Sequence, residues 1–439
     1  MLSFHSIQSS VFAFVGILAP CILNATGTGA SDDPVKNGDI ASADMDGSDG
    51  TSDYYYVIDD YTLDFSEYRG YVGDSNSYIH LTIENGGTLS LESFVIGYGS
   101  TSDNTVTITG TDSSLTCTGK IYVGWGGDNN SLTLDDYATI SCGAIVIGDS
   151  DGSGTSSAYT YTDTLTIKGG ASVEVGDGDI AVGNYSGGAI LRVEAGSSIT
   201  CASSGALGYS SYSTGNSMYI TGSGASVTFT SSTDGDFTVG NAGGSNYLEI
   251  SDGGVLSCAY RGALGYASTS SGNSVLITGG GSRWTVASNF YLGASGSNNV
   301  LTVADGGMLM VGGTLSITYV SGYVTGNYLQ LSNGFLALAG EYSASEIEAL
   351  LSGKVKVWDG TSYVTLTDTS SLTIVYCDAS GDAASALGSY SSYYSSEILA
   401  SLDGGYTIIT DISSVPEPAS VALLFAAASL GIVFVRRRR

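Results

Sequence analysis

Asn246-Tyr247-Leu248-Glu249-Ile250-Ser251-Asp252-Gly253-Gly254-Val255-Leu256-Ser257-Cys258, continuing through Ala259-Tyr260-Arg261-Gly262-Ala263-Leu264-Gly265, holds three short runs of alternating apolar and polar residues. Successive side chains of a strand point to opposite faces, so Leu248 with Ile250, Leu256 with Cys258, and Leu264 each fall on one side of an extended chain. Ser251-Asp252-Gly253-Gly254 has the composition of a tight turn. The unit therefore reads as strand, turn, strand, corner, strand, closed by an apolar-Gly pair.

Working outward, Asn-x-Φ-x-Φ (Φ apolar) opens the same unit at Asn104, Asn130, Asn216, Asn273, Asn299 and Asn327. Weaker copies have first apolar residues at Leu81, Leu165 (with Asp163 in place of the asparagine) and Leu191. From Leu81 to Leu329 the steps are 25, 26, 33, 26, 27, 30, 27, 26 and 28 residues. Third runs end in apolar-Gly at Ile96-Gly97, Val123-Gly124, Ile147-Gly148, Val182-Gly183, Leu207-Gly208, Val239-Gly240 and Leu292-Gly293. A β-sandwich or propeller does not favour so short a unit of three strands. The pattern predicts an all-β parallel β-helix (β-solenoid) over 54–340, with about ten coils stacked at ~4.8 Å into a rod roughly 50 Å long. The longest step falls in Asp149 to Thr162, a Ser/Gly/Tyr-rich stretch that reads as a bulging loop. The repeats resemble those of autotransporter passenger domains and other exported β-helix proteins, a likeness shared by many functions.

Two columns of this repeat have alternative readings. Stacked asparagines form amide ladders and tolerate left-handed backbone at a corner; the sharper alternative is a row of binding asparagines. Cys117, Cys142, Cys201 and Cys258 share a column with Leu91, Val175, Phe229, Val286, Val311 and Leu338, which reads as buried apolar packing. Cys117 and Cys142 lie on adjacent coils, where a disulfide is geometrically conceivable. No cysteine spacing is of metal-binding type.

Composition narrows the function. Between the hydrophobic ends lie nine of the thirteen basic residues and 41 of the 42 acids. So acidic a surface repels nucleic acid, and no nucleic-acid role is expected. Only His5 and His80 are available, which removes most general-base and metal-ligand schemes. Arg69, Lys120, Lys168, Arg192, Arg261 and Arg283 do not recur beside acids at one repeat position. Gly176-Asp177-Gly178-Asp179 resembles a fragment of a calcium-binding repeat but occurs once. No catalytic residue, cofactor or metal is expected, and the chain reads as not an enzyme. Tyr209, Tyr212, Tyr260 and Tyr266 offer faces on which sugars stack, or simply suit strand surfaces.

The flanks complete the map. Residues 1–25 read as a signal peptide built on Val11 to Leu23, with an uncleaved anchor as the alternative, and 26–53 as an acidic linker. Tyr54 to Tyr71 supplies a cap or first strand. Residues 341–414 form a C-terminal cap, with a capping box at Ser343–Glu346, strands at Lys354–Trp358 and Val364–Leu366, and a last strand at Tyr406–Thr410. The tail 415–439 begins Val415-Pro416-Glu417-Pro418, continues as an uncharged run over 419–435, and ends Arg436-Arg437-Arg438-Arg439. Seventeen uncharged residues span roughly 25 Å as a helix, and the arginines hold that end in the cytoplasm. This order resembles the PEP-CTERM sorting signal. The resemblance implies export, a transmembrane helix over 419–435, and an exosortase-type membrane enzyme acting at Val415–Pro418. The chain is thus expected to be a membrane- or surface-anchored structural or adhesive protein. The alternative is an extracellular polysaccharide-binding or -degrading β-helix.

Overall fold

The computed structural model describes residues 29–30, 35–40, 42–47, 53–150, 162–318, 320–321 and 324–411. Its backbone winds through about eleven turns of a parallel β-solenoid. One face is a ladder of parallel strands running from Val35–Lys36 through Tyr54–Asp59, Tyr247–Ser251 and Ser274–Thr278 to Tyr328–Ser332 and Val355–Trp358. Each apolar residue lies over its counterpart in the next coil: Met218 on Leu248, Leu248 on Val275, Val275 on Leu301. Second strands such as Val255–Cys258 and third strands such as Gly262–Leu264 pair the same way. This is the stack expected from the repeat.

The inward side chains form one continuous core along the axis. Leu248, Ile250, Leu256 and Leu264 are wholly buried. Each such side chain contributes about 1.5–3 kcal/mol of burial, which only the coils above and below can supply. The cysteine column behaves as apolar packing: Cys201 lies over Val175 and under Phe229, and Cys258 lies between Phe229 and Val286. All five described cysteines are free and buried, so Cys117 and Cys142 form no bridge.

The N-terminal end extends further than the repeat predicts. Tyr54–Asp59 and Thr62–Val72 make a full coil under Ile79–Glu84 and Thr88–Tyr98. Part of the segment read as a linker adds a further partial rung, because Val35–Lys36 pairs with Tyr56–Val57 and Asp44–Met45 with Tyr71–Val72. Val35, Ile40 and Met45 are buried there. Isolated apolar residues among acids suffice for a terminal rung, which has a neighbour on one side only.

At the other end the expected capping box is formed. Ser343 Oγ accepts from the Glu346 N–H, and the Glu346 carboxylate accepts from the Ser343 N–H at 2.8 Å, opening helix α1 (Ala344–Leu351). Ile347 and Leu351 are buried over the last coil. Val355–Trp358 turns at Asp359, whose carboxylate accepts the Ser362 N–H at 2.8 Å, into antiparallel Tyr363–Thr365. Tyr406–Thr410 pairs antiparallel with both Phe335–Ala339 and Thr373–Cys377, ending the parallel stack. Helices α2 (Asp382–Leu387) and α3 (Ser396–Asp403) go beyond the sequence-based expectation. They cover Met308, Met310, Phe335 and Ala337 in a second small core. Among the described residues no helix is long and apolar enough to cross a membrane.

Candidate functional site

Val415, Pro416, Glu417, Pro418, the run 419–435 and Arg436, Arg437, Arg438 and Arg439 lie outside the described residues, as do 1–25. The solenoid therefore supplies the geometry, and its most regular feature is the asparagine corner. Asn246, Asn273, Asn299 and Asn327 are wholly buried. Each Nδ2 donates to the Oδ1 of the next: Asn246 to Asn273 at 2.9 Å, Asn273 to Asn299 at 3.0 Å, Asn299 to Asn327 at 3.0 Å. The same Oδ1 atoms also accept backbone N–H groups, as Asn299 does from Asn273 at 3.0 Å. Buried and mutually satisfied, these asparagines are an amide ladder and not a binding row. The left-handed φ falls on the residue before the asparagine, at Asp103, Asn129, Ser245 and Asn298, rather than on the asparagine itself.

The apolar-Gly pair is explained by the same corner. A Cβ on Gly240 would collide with the Asn273 side-chain amide, and its φ is +70°. The ladder has one defect. Asp163 accepts from the Asn130 backbone at 2.9 Å and from Asn130 Nδ2 at 3.1 Å through Oδ1. The next coil places Ala189 at the column, and Asp163 Oδ2 and Ser186 Oγ are both buried with no partner among the described residues. Burial pushes the Asp163 carboxyl up to about 8, against the hydrogen bonds from Asn130.

The other singled-out polar residues occupy structural positions. His80 Nδ1 meets Thr105 Oγ1 at 2.7 Å and the ring stacks on Tyr55 at 4.7 Å. Asp179 accepts from Ser203 Oγ at 2.9 Å and Ser204 Oγ at 2.7 Å. Among the described residues no three His, Cys, Asp or Glu side chains are grouped to hold a metal ion.

A groove of about 430 Å³ lies on the outside of the third strands. Thr238, Ala263, Tyr291 and Ser316 are in register on successive coils and form its floor, with Tyr266 beside them. Arg261 closes one side. Its Nη2 donates to Asp236 Oδ2 at 2.8 Å, its Nε to Oδ1 at 3.2 Å, and its backbone N–H to Oδ1 at 2.9 Å. The guanidinium also lies 4.3 Å from the Tyr260 ring centroid. Desolvation raises the Asp236 carboxyl, and the Arg261 hydrogen bonds and charge oppose it. Desolvation lowers Arg261, but hydrogen bonding to Asp236 and the charge interactions with Asp236, Tyr260 and Tyr291 together outweigh it, and the net shift is upward. The side chains of this pair are only 15% and 14% exposed.

The pair does not overturn the expectation that the basic residues do not recur beside acids at one repeat position, because Arg261 precedes a third strand whereas Lys168, beside Asp135, follows a first strand. Arg261 and Asp236 are 25 residues apart, one coil, and Lys168 sits 3.3 Å from Asp135 by the same stacking. Opposite charges one period apart are the signal that finds them. Of the tyrosines singled out, Tyr260 and Tyr266 converge near Arg261. Tyr209 holds the position of Tyr266 two coils earlier, since Tyr209 bonds Gly183 O, Asn241 bonds Gly208 O and Tyr266 bonds Gly240 O. Tyr212 stands apart and is exposed. Tyr291, whose ring completes the groove, escapes the sequence reading because a strand tyrosine carries no distinguishing pattern.

The described part of the chain is thus a β-solenoid, a fold that hosts many functions. Residues 414–439 match the PEP-CTERM protein-sorting motif, the substrate signal of an exosortase, which marks the chain as an exported, surface-sorted protein. No curated protein matches the chain. Among solved structures, the crystal structure of a TibC-catalysed hyper-glycosylated fragment of TibA is similar over 63% of this chain and 88% of that one, at 17% identity and a TM-score of 0.17.

Proposed function

We propose that this chain is a surface-anchored adhesive or spacer rod without catalytic activity. The carrying observation is the unbroken parallel register from Val35 to Val355, which makes a stiff element out of coils that bury only each other. The tail 419–435 crosses the membrane, with Arg436–Arg439 on the cytoplasmic side until an exosortase acts at Val415–Pro418. The non-catalytic reading is supported by how three acids are held: Asp163 belongs to the ladder, Asp149 accepts the Ser150 N–H at 2.8 Å, and Asp236 is held by Arg261.

The test is a strain in which 414–439 is deleted. Surface attachment of the cells is expected to fall to that of a strain lacking the whole gene, with the solenoid recovered away from the envelope. Unchanged attachment and envelope location would sink the proposal. A second reading, polysaccharide binding, is favoured specifically by the tyrosine-lined groove at Arg261.

A further inference from the structure

We propose that the groove on the third face is a binding site for an uncharged pyranose saccharide, laid along the rod axis from Tyr291 and Tyr266 toward Tyr209. The inference rests on the adhesive reading and gives it a ligand class. Three independent observations point this way.

The first is the mixture of surfaces. Tyr266 and Tyr291 offer aromatic faces, while Thr238, Ser316 and Thr318 bring hydroxyls to the same concavity. A pyranose has an apolar face of C–H groups and an equatorial rim of hydroxyls, so it needs both kinds of surface at once. Tyrosine supplies the apolar body with a polar tip.

The second is the fixed polar edge. Arg261 is held in one orientation by two side-chain bonds to Asp236, its own backbone bond to that carboxylate, and the Tyr260 ring. A planar, pre-positioned guanidinium–carboxylate pair offers directional donors and acceptors without the entropy cost of ordering long side chains. Its charges cancel locally. On a chain with net charge −29, a compensated arginine does not recruit a polyanion, which selects an uncharged glycan over a uronate.

The third is the spacing. Tyr209 and Tyr266 hold equivalent positions two coils apart, about 9.6 Å along the axis at ~4.8 Å per coil. That is a span a disaccharide covers. A linear polymer parallel to the rod meets Tyr266 and, two coils away, Tyr209, with Asn241 between them donating to Tyr209 O at 3.3 Å. The sheet presents its face, not an edge, so a peptide gains no backbone pairing in this groove.

The experiment uses the full chain purified in detergent, titrated by calorimetry with neutral gluco-, manno- and xylo-hexasaccharides and with an oligogalacturonate of the same length. Saturable binding of at least one neutral hexasaccharide is expected, weakened tenfold or more in Tyr266→Ala and Tyr291→Ala and unaltered in Tyr212→Ala. The double variant Asp236→Asn/Arg261→Gln, which leaves no buried charge unpaired, is expected to lose a similar factor while keeping its thermal midpoint. No binding by any neutral probe, tighter binding of the oligogalacturonate, or affinities unchanged by Y266A and Y291A would each overturn the proposal. Cells carrying Y266A/Y291A separate the two readings. Attachment retained without saccharide binding overturns the groove and leaves the adhesive rod. Saccharide binding in vitro, with no attachment defect in a strain lacking the gene, overturns the adhesive rod and leaves the groove.

Discussion

Replacing Asp163 with asparagine is expected to stabilise the protein strongly at neutral pH and hardly at all near pH 4. Asp163 occupies a ladder position filled by Asn130 in the coil before it and by Ala189 in the coil after, and its Oδ2 is buried without a partner among the described residues. Its carboxyl is pushed from 3.8 up to about 8, chiefly by desolvation. The folded chain therefore keeps a proton that the unfolded chain gives up near pH 3.8, so stability falls as pH rises through this window and levels off above about pH 8. Each pH unit in the window amounts to about 1.4 kcal/mol, which puts the loss at about 4 kcal/mol at pH 7. The amide introduced by D163N has no such proton to retain. Its oxygen keeps both bonds from Asn130, which Asp163 accepts at 2.9 and 3.1 Å. Urea midpoints of the two proteins, followed by circular dichroism from pH 4 to 8.5, should coincide at the acid end and separate steadily with pH. Parallel profiles, or a D163N chain less stable than the parent at pH 7, would refute the reasoning.

Three further outcomes are expected. Asn273→Ala removes the acceptor of the Asn246 backbone and Nδ2 groups, bonded at 3.0 and 2.9 Å, and the donor to Asn299; at about 1–3 kcal/mol per buried orphaned group the urea midpoint should drop steeply. Gly240→Ala drives a methyl into Asn273 Nδ2 at a left-handed φ, so it should cost more than the ~1 kcal/mol of backbone strain alone, whereas Ala at the turn glycine Gly99, which also has a positive φ but nothing within 4 Å, should cost only the strain term. Cys258→Val, a residue already present in its column at Val286, should change stability by less than about 1.5 kcal/mol. The native thiol, pushed up to about 12 by burial, should resist iodoacetamide at pH 8 until the chain is unfolded.

The stack was legible because each coil repeats three alternating runs and a Φ-Gly corner, and stacking turns a repeat directly into a register. The columns at Asn273 and Cys258 followed from the same periodicity. Much of what escaped has one neighbour instead of two. Val35 and Met45 form a terminal rung from single apolar residues, too sparse to show a period. Helices α2 and α3 are short, and the clue to them lies elsewhere in the chain: Met308 and Met310 stand at outward positions of a strand apolar on both faces, Met308-Leu309-Met310-Val311. An unbroken apolar strand is one covered on both sides. The groove was half visible. Tyr260, Tyr266 and Arg261 were in view, but Asp236 becomes a partner only when residues 25 apart are laid over each other.

The break in the asparagine column has a mechanical consequence. Its amide bonds run along the axis of the rod, the direction in which a surface-tethered chain is pulled when its far end is gripped. From Asn216 to Asn327 these cross-links are continuous. At Ala189 only a backbone N–H reaches Asn216, at 2.9 Å, and among the described residues nothing reaches back to Asp163 Oδ2. The strand ladders still cross this seam and only its side-chain link is broken, so the seam is expected to part first under tension, leaving two intact stacks joined by extended chain. A single-molecule pulling trace should show it as the earliest step, and D163N with A189N should remove that step.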